Sequence, residues 1–328
     1  MIPSASAPER RLRVAVVGAG QFGRNHCRTV AQSSRAELVA VVDTDAQRAV
    51  EAASAWGSRP YTSLDAVLGS VDAAIVAVPT AVHADVGAAL LEAGAHVLVE
   101  KPIAPDLESA ARLTAAARRN GRILQVGHLE RFNPAVTALE ARCRLPLFFE
   151  VHRMSVFSPR SLDIDVVLDL MIHDIDIVLS LVGAAPAAIH AAGISILSPK
   201  EDIANVRMEF PNGCIANLTA SRVSTDKVRK LRLFQPRQYL SLDYTRQSLA
   251  AFTVSEDRRI TFEQAAVRQG EPLVLQLDSF LDCVETGAAP NVGGEAASAA
   301  LGVALAILDK IKEHAAVVSK SLAAGWKP

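Results

Sequence analysis

Residues 13–23 read Arg13-Val14-Ala15-Val16-Val17-Gly18-Ala19-Gly20-Gln21-Phe22-Gly23, an apolar run that passes directly into a glycine-rich turn. The spacing of the three glycines is typical of the turn that joins a parallel strand to a dinucleotide-binding helix. The first glycine permits a tight turn, the second lets a pyrophosphate approach the backbone, and the third lets the helix pack on the strand. A turn that only packs would use the same glycines, so the motif needs support from its surroundings.

A carboxylate downstream gives that support. Asp43 ends the second apolar run, 20 residues after Gly23, where a carboxylate accepts hydrogen bonds from ribose hydroxyls. It would repel the 2′-phosphate of NADP, so we expect NAD as the cofactor; Arg48 lies close enough in sequence to keep NADP as the less favoured choice. The predicted cofactor contacts in this region are Gly18, Gly20, Gln21, Phe22, Gly23 and Asp43.

The first 127 residues alternate short β-branched runs with alanine-rich helical stretches. Continuous apolar strands joined by helices indicate a parallel sheet that is covered on both faces. We therefore predict a doubly wound Rossmann domain over residues 12–127, preceded by a flexible N-terminus at 1–11. The predicted strands are 13–17, 38–42, 73–78, 96–99 and 123–126, and the predicted helices are 22–31, 46–55, 82–93 and 106–120.

After residue 131 the pattern changes to consecutive strands with few helices between them. Consecutive strands indicate a mostly antiparallel sheet, and Pro211-Asn212-Gly213 supplies a hairpin turn because Asn-Gly tolerates positive φ. We predict an α+β domain with an open sheet over 128–328, whose C-terminal helix can pack back on the Rossmann domain. The predicted strands are 147–154, 188–196, 204–210, 214–223, 230–234, 239–243 and 250–255, and the predicted helices are 132–143, 166–181, 273–286 and 295–315.

Composition excludes several classes of protein. A chain of 328 residues is longer than one hydrophobic core usually serves, which favours two domains. Lys plus Arg number 34 and Asp plus Glu number 35, and a formal net charge of −1 argues against nucleic acid as a partner. No stretch has the pattern of a signal peptide or a membrane span, so we expect no membrane partner. We also expect a reducing cytoplasm and no metal, since four cysteines stand singly: Cys27, Cys143, Cys214 and Cys283.

Polar residues follow the predicted strand 73–78. Pro79 and Thr80 end this strand, and His83 lies in the first turn of the next helix. Loops at the carboxyl ends of parallel strands face the ligand, so we assign all three residues to the cofactor site. Thr80 could contact the cofactor, cap the helix, or do both.

A second polar pair, Glu100 and Lys101, ends the predicted strand 96–99 on the same side. A lysine beside the nicotinamide can hydrogen-bond a substrate oxygen and stabilise negative charge that develops on it. A solvated surface charge is the alternative for Lys101, but its place before Pro102 favours function. We assign Glu100 to the cofactor site.

The predicted helix 166–181 carries a polar stripe on an otherwise apolar surface. Asp169, His173, Asp176 and Ser180 are spaced i, i+4, i+7 and i+11, and therefore share one face. Burying carboxylates costs several kcal/mol unless they are paired or line a wet cavity. A histidine oriented by a carboxylate one turn away is a candidate general base. A structural Asp–His pair is the alternative.

Four stretches taken together resemble the Gfo/Idh/MocA family of oxidoreductases. They are 18–23, Glu100-Lys101-Pro102, Asp169-Leu170-Met171-Ile172-His173-Asp174, and the tail 287–292 followed by Glu295. The resemblance covers residues 12–312 and implies a Rossmann domain followed by an α+β domain whose open sheet supports a homo-oligomer, a dimer or a tetramer. It also implies NAD(P)-dependent oxidation of a hydroxyl on a sugar, a sugar nucleotide or a cyclitol.

The resemblance further implies roles for three residues. Lys101 matches the catalytic lysine of the family, and Asp169 and His173 match its Asp-x-x-x-His pair, so all three are expected to contact substrate. Many members carry glycine two residues after that aspartate, where this chain has Met171. We expect this departure to change packing rather than chemistry. Whether Lys101 or His173 is the formal base stays open.

A fifth stretch, Gly127-His128-Leu129-Glu130-Arg131-Phe132-Asn133-Pro134, narrows the resemblance. It is similar to the UDP-N-acetylglucosamine 3-dehydrogenases of the family, and implies that His128 contacts the cofactor while Arg131 and Asn133 contact the substrate. Asn133-Pro134 could equally start a helix. The implied reaction forms the 3-keto sugar nucleotide, which an aminotransferase then uses to make a diamino sugar for lipid A.

Two other functions remain as alternatives. The chain could be an inositol or other sugar dehydrogenase of the same family. It could also be a non-catalytic regulator that binds a dinucleotide. A regulator would have little reason to retain Lys101, Asp169 and His173 together.

Overall fold

The computed structural model describes residues 10–157 and 164–323, and over these the chain divides into two compact units. One unit holds the described residues up to His128 together with Leu273–Ser298, and the other holds Leu129–Pro272 and the chain from Ala299 onward. Segment 273–298 therefore packs with the first unit, where the sequence had placed it in the second domain. Nine residues of the predicted N-terminal segment 1–11 lie outside the described residues.

The first unit is a parallel six-stranded sheet with helices between its strands. The strands are β1 (Leu12–Val17), β2 (Ala36–Val42), β3 (Arg59–Tyr61), β4 (Ala73–Val76), β5 (His96–Glu100) and β6 (Leu124–Gly127). The helices are α1 (Gln21–Gln32), α2 (Ala46–Ser54), α3 (His83–Glu92) and α4 (Leu107–Asn120). The strand order β3-β2-β1-β4-β5-β6 reverses direction at β1 and β4, which is where a doubly wound sheet opens a crevice for its ligand. The predicted Rossmann arrangement is confirmed.

The second unit is built on an eight-stranded sheet. Its helices are α5 (Pro134–Arg142) and α6 (Ile172–Val182), and α7 (Pro272–Thr286) and α8 (Gly294–Ala323) close the chain. The strands are β7 (Phe148–Met154), β8 (Ala188–Ile194), β9 (Ile203–Glu209), β10 (Ile215–Ser221), β11 (Val228–Gln235), β12 (Gln238–Asp243), β13 (Ser248–Val254) and β14 (Ile260–Gln264). In the order β14-β13-β12-β11-β7-β10-β9-β8, the pair β7–β10 is parallel and the other neighbouring pairs are antiparallel. The predicted α+β class is confirmed.

The two units have separate apolar cores. In the first, the buried side chains of β1 and β2 pack with Leu277, Phe280 and Leu281 of α7. This apolar face of α7 explains why 273–298 belongs to the first unit. In the second, α5, α6 and the middle turns of α8, from Ala300 to Ile311, cover one face of the sheet, where alternate residues such as Leu231 and Leu233 are fully buried.

The opposite face of the second sheet carries a row of aromatic rings. The aromatic row consists of Phe262, Phe252, Tyr239, Phe234 and Phe148, which are direct neighbours in register across β14, β13, β12, β11 and β7. Successive ring centroids are 4.8–5.8 Å apart. Phe234, Phe252 and Phe262 are 38%, 36% and 61% exposed, which is unusual for side chains of this size.

The predicted helix 166–181 is not a continuous α-helix. Residues Val167–Met171 form one turn of π-helix, and α6 begins at Ile172. Such turns occur mostly as single insertions in α-helices and often at functional sites. Asp169 lies in the π-turn and His173 in the first turn of α6, so the ideal α-helical spacing used for the polar stripe does not apply between them. Among the described residues, no helix is both long and apolar enough to cross a membrane.

Candidate active site

The glycine turn after β1 has the shape that a pyrophosphate needs. Gly18 has φ +98°, and a Cβ there would overlap the carbonyl of Ala77. A Cβ on Gly23 would overlap the carbonyl of Gly18, so α1 can approach the turn only with glycine at this position. A Cβ on Gly20 would meet no atom within 4 Å, which leaves open space beside the N-terminus of α1. The residues present therefore fit a dinucleotide whose pyrophosphate lies on the free N–H groups of that helix.

Asp43, at the end of β2, is buried and is fixed against this turn. Its carboxylate accepts hydrogen bonds from the main-chain N–H groups of Ala19 at 2.7 Å and Asp45 at 2.9 Å. Arg48 Nη2 lies 3.0 Å from Asp43 Oδ1. Burial raises the pKa of Asp43, but the two N–H groups and Arg48 outweigh it and bring the pKa below its ordinary 3.8. A carboxylate, rather than a carboxylic acid, therefore lies beside the glycine turn at neutral pH.

The turn that carries Lys101 is fixed by a buried acid–histidine contact. His26 on α1 places Nε2 2.7 Å from Glu100 Oε1, and the histidine is 1% exposed. The main-chain N–H of Lys101 donates to the other Glu100 oxygen at 3.4 Å. A Cβ on Gly127 would come within 2.9 Å of the Glu100 carboxylate, so a larger residue there would push this carboxylate from its position. The Glu100 carboxylate, which we had assigned to the cofactor, thus links α1 to the half-buried Lys101.

His83 holds the same turn from α3. Its Nδ1 lies 2.8 Å from the carbonyl oxygen of Pro102, and its Nε2 lies 2.9 Å from that of Val78. The ring is 1% exposed. Through these two contacts, the buried His83 side chain joins the main chain just after β4 to the main chain just after β5. Thr80 does not cap α3: it starts a short 3₁₀ turn, Thr80–Val82, and Val82 occupies the cap position without a side-chain hydrogen bond.

Other predicted cofactor residues lie around this crevice edge. Gln21 and Phe22 are exposed at the start of α1. Pro79 precedes the 3₁₀ turn after β4 and is exposed. His128 is buried directly after β6, where its main-chain N–H donates to the carbonyl of Val126.

In the second unit, the polar residues of the π-turn and α6 divide into two groups. Asp169 and His173 are half-buried, whereas Asp174 and Asp176 are 2% and 3% exposed. Ser180 is exposed, and its hydroxyl donates to the carbonyl of Ile177 within α6. The predicted stripe therefore contains two accessible side chains suited to chemistry, one buried carboxylate that needs a cation, and one surface hydroxyl.

Arg131 supplies that cation to Asp176. Its Nη1 lies 3.7 Å from Asp176 Oδ2, and its Nε lies 3.1 Å from Glu140 Oε1 on α5. Asn133 caps α5 by accepting the N–H of Ala135, and its amide donates to the carbonyl of Tyr244 at 3.0 Å. Both residues, which we had assigned to substrate, thus have structural contacts within the second unit. Their contact with substrate stays a prediction.

Sequence reasoning missed a buried ionic cluster beside α6. Arg153 on β7 is 2% exposed and donates twice to Asp174, at 2.7 and 2.8 Å, and once to Glu130 at 2.8 Å. Its guanidinium carbon lies 4.9 Å from the centre of the Tyr244 ring. The strand alternation carried a signal, since Arg153 follows Phe149 and Val151 at every second position on the core face.

Comparison with known proteins places this arrangement in a family. A model described as an oxidoreductase family with an NAD-binding Rossmann fold, Gfo/Idh/MocA, matches residues 12–128, and a Gfo/Idh/MocA C-terminal domain matches 136–238. The chain is also 35% identical over 302 residues to UDP-N-acetylglucosamine 3-dehydrogenase of Acidithiobacillus ferrooxidans, covering 90% of this chain and 96% of that protein. The chain belongs to the Gfo/Idh/MocA family.

A solved structure and a second relative also match most of this chain. A solved structure of the Acidithiobacillus ferrooxidans UDP-N-acetylglucosamine 3-dehydrogenase superposes with a TM-score of 0.88 at 34% identity, covering 93% of this chain and 99% of that one. The scyllo-inositol 2-dehydrogenase (NAD(+)) of Bacillus subtilis is 26% identical over 327 residues, with 93% and 95% of the two chains covered.

The family assignment confirms three predictions. The protein is a Gfo/Idh/MocA oxidoreductase of the dehydrogenase type, it has the predicted fold, and its cofactor is NAD. The roles assigned to Lys101, Asp169 and His173 stay predictions. All three side chains are half-buried. They are therefore partly exposed to solvent, which a side chain that contacts substrate has to be.

Proposed function

We propose that this protein oxidises a hydroxyl group on the sugar of a nucleotide sugar, and that its substrate is UDP-N-acetylglucosamine, oxidised at C3. The match to a UDP-N-acetylglucosamine 3-dehydrogenase along nearly the whole of both chains carries this proposal. The 3-keto product is an electrophile that a transaminase can convert into an amine. We place the reaction in the cytoplasm, in the synthesis of a diamino sugar for lipid A.

The chain's own residues supply the acid–base chemistry. Bound NAD supplies the acceptor for the hydride that leaves the sugar carbon. Lys101 donates a hydrogen bond to the substrate oxygen and stabilises the negative charge that grows there. His173 takes the hydroxyl proton, and Asp169 orients His173 and the substrate. Lys101 is the alternative candidate for this base.

We infer a preference for NAD over NADP from Asp43. Its carboxylate is charged and lies beside the glycine turn, so a 2′-phosphate would meet a like charge. Arg48 is already paired with Asp43 and Asp45, at 3.0 and 3.7 Å. It would have to leave both carboxylates to bind a 2′-phosphate.

An inositol dehydrogenase is the alternative that a specific observation favours, since two inositol dehydrogenases match 86% or more of the chain at 26% and 28% identity. A panel of UDP-sugars, free sugars and inositols, incubated with the protein and NAD while NADH formation is followed, separates the two functions. Highest kcat/KM on UDP-N-acetylglucosamine supports the proposal; highest kcat/KM on an inositol overturns it. Tight NAD binding without turnover of any compound would indicate the non-catalytic regulator.

We also propose that the protein is a homo-oligomer, a dimer or tetramer, held together through the second sheet. The aromatic row supports this, because five neighbouring rings on a face with exposed side chains form an apolar surface that a second copy can cover. We expect neither nucleic acid nor a membrane as a partner, since positive and negative charges are nearly balanced.

A further inference from the structure

Two arginines lie directly opposite each other in the second sheet. Arg229 of β11 is in register with Arg153 of β7 on antiparallel strands. Their in-register neighbours Leu231 and Val151 are both buried in the core, so the two arginines project from the core face. Like charges directly opposite each other destabilise a sheet. We therefore ask which anionic groups offset the charge of each arginine.

The first arginine has its charge fully paired. Arg153 makes three hydrogen bonds to Asp174 and Glu130 and lies against the Tyr244 ring. A buried ion pair with this geometry satisfies both partners. Arg153 therefore needs no further ligand, and its two acids have little capacity left for a second cation.

The second arginine has its donors largely unused. The nearest carboxylate oxygen to Arg229 is Glu130 Oε1, 3.8 Å from Nη1, and that same atom accepts from Arg153 at 2.8 Å. The Nε of Arg229 is buried and has no hydrogen-bond partner among the described residues. The side chain is 31% exposed, so it lies at the edge of the core. Burial, and then repulsion from Arg153, lower its pKa, yet a guanidinium remains charged at neutral pH.

The position of Arg229 relates it to the proposed reacting residues. Arg229 is in register with Arg153, and Arg153 donates to Asp174, the residue directly after His173. An anionic substrate group near Asp169 would be repelled unless a cation lay between them. A planar guanidinium with free N–H groups is suited to phosphate and carboxylate oxygens, which it can bind through two parallel hydrogen bonds.

We propose that Arg229 binds an anionic group of the substrate and makes the site selective for charged sugars over neutral cyclitols. This rests on the proposed function, in which that group is the diphosphate of a nucleotide sugar. A sugar carboxylate offers the same chemistry, and the experiment separates the two sources.

The test compares Arg229→Met with Arg229→Lys and with the control Arg246→Met, which removes an exposed arginine from the turn after β12. KM and kcat are measured with UDP-N-acetylglucosamine, glucuronic acid and scyllo-inositol at saturating NAD. Arg229→Met should raise KM for the anionic substrate by about tenfold or more, the size of one charge-assisted hydrogen bond, and leave KM for scyllo-inositol unchanged. Arg229→Lys should lie between wild type and Arg229→Met, and Arg246→Met should match wild type.

Binding of UDP, measured by calorimetry, gives a second readout that needs no turnover. Weaker UDP binding by Arg229→Met assigns the contact to the diphosphate, and an effect confined to glucuronic acid assigns it to a carboxylate. An equal rise in KM for scyllo-inositol, or no change with any anionic ligand, overturns the role of Arg229. If wild type oxidises no nucleotide sugar but binds UDP through Arg229, the proposed function fails while this inference stands.

Discussion

His83 Nδ1 lies 2.8 Å from the carbonyl oxygen of Pro102, directly after the lysine proposed to contact substrate. The second ring nitrogen lies 2.9 Å from the carbonyl of Val78, at the end of the neighbouring strand. One buried imidazole thus joins the chain at the ends of β4 and β5. Since Lys101 lies between this contact and the Glu100–His26 contact, its backbone is held from both sides.

Replacing His83 with leucine should therefore destabilise the protein and slow the reaction. A neutral imidazole has one N–H, so the change removes the donor of one of these two buried carbonyl oxygens, at a cost of about 1–3 kcal/mol for an unsatisfied group. We expect a lower urea midpoint, and a lower kcat because Lys101 is held less firmly. His190→Leu, at an exposed position on β8, is the control. An unchanged midpoint would show that these contacts contribute nothing.

The same histidine predicts a pH dependence. Burial lowers the pKa of His83 below 6.5, although the contacts with Pro102 and Val78 and the charge of Glu100 oppose the shift. The folded protein thus binds this proton less readily than the unfolded chain, so stability from neutral His83 is present above pH 6.5 and is lost as pH falls through the folded pKa. Unfolding free energies measured from pH 8 to pH 5 should fall less steeply for His83→Leu than for wild type.

Replacing Asp43 with alanine should weaken NAD binding far more than NADP binding. The ribose hydroxyls lose a charged acceptor, worth about 1.5–3 kcal/mol, and Arg48 loses the carboxylate that holds it at 3.0 Å. Asp43→Asn removes the charge but keeps one acceptor oxygen for the N–H group of either Ala19 or Asp45, and so perturbs the turn less than Asp43→Ala does. Dissociation constants of both dinucleotides give the answer; equal losses, or none, would place Asp43 away from the ribose.

Lys101 and His173 should behave as one catalytic unit. Lys101→Met removes the charge but keeps the apolar stem, and His173→Ala removes a proton acceptor, a loss of about 10²–10⁴-fold in rate. If both act on one substrate oxygen, the double variant should be scarcely slower than the slower single variant. NAD affinity should survive in each. A Lys101→Met enzyme with near wild-type kcat would mean that the lysine is structural.

Asp202 should contribute to stability above acid pH. Its fully buried carboxylate accepts the N–H groups of Ile196, Leu197 and Ser198 at 2.6–3.0 Å. Burial raises the pKa of Asp202, but these N–H groups outweigh it and lower the pKa to about 2. The contribution is present above pH 3.8 and is lost as pH falls through 2.

For Asp202→Asn we expect a loss of about 1–3 kcal/mol at pH 7, and a difference from wild type that shrinks below pH 3.8. Urea titrations at pH 7 and below pH 3.8 test this. Asp226→Asn, at an exposed position, is the control. A constant difference across the range would exclude the carboxylate charge as its source.

Polar substitutions in the aromatic row should weaken the association between copies of the protein. Phe234→Ser with Phe252→Ser removes the two rings that flank Tyr239 in the row, while the buried Leu231 and Leu233 stay in place. Light scattering should give a lower mass for this variant, with unchanged circular dichroism. Leu107→Ser, which changes an exposed apolar residue of the first unit, should keep the wild-type mass. A wild-type protein of single-chain mass would refute the oligomer.

The sequence predicted those parts of the fold that depend on residues close together in the chain. The glycine turn follows from three backbone requirements, and the strands of the first unit follow from runs of buried valine, leucine and isoleucine. β14 was missed because all five of its residues are exposed, so it lacks the alternation that marks a half-buried strand. β3 was missed because it has three residues, with Arg59 and Pro60 exposed.

The site was harder to predict where partners are distant in sequence. The spacing along α6 selected Asp169 and His173, but Asp174 finds its cation on β7, 21 residues earlier. Glu100 gave no sign of His26, which lies 74 residues away. The register of β11 against β7, which sets Arg229 beside Arg153, depends on the tertiary fold.

The return of Leu273–Ser298 to the first unit has a consequence for biosynthesis. The chain leaves the ribosome from its N-terminus, and all six strands of the first sheet are complete by Gly127. Leu277, Phe280 and Leu281, which close the core on that sheet, emerge only after every strand of the second sheet has been made. The nascent Rossmann sheet therefore exposes an uncovered apolar surface for most of translation, and a chaperone that binds apolar segments would have its longest opportunity there.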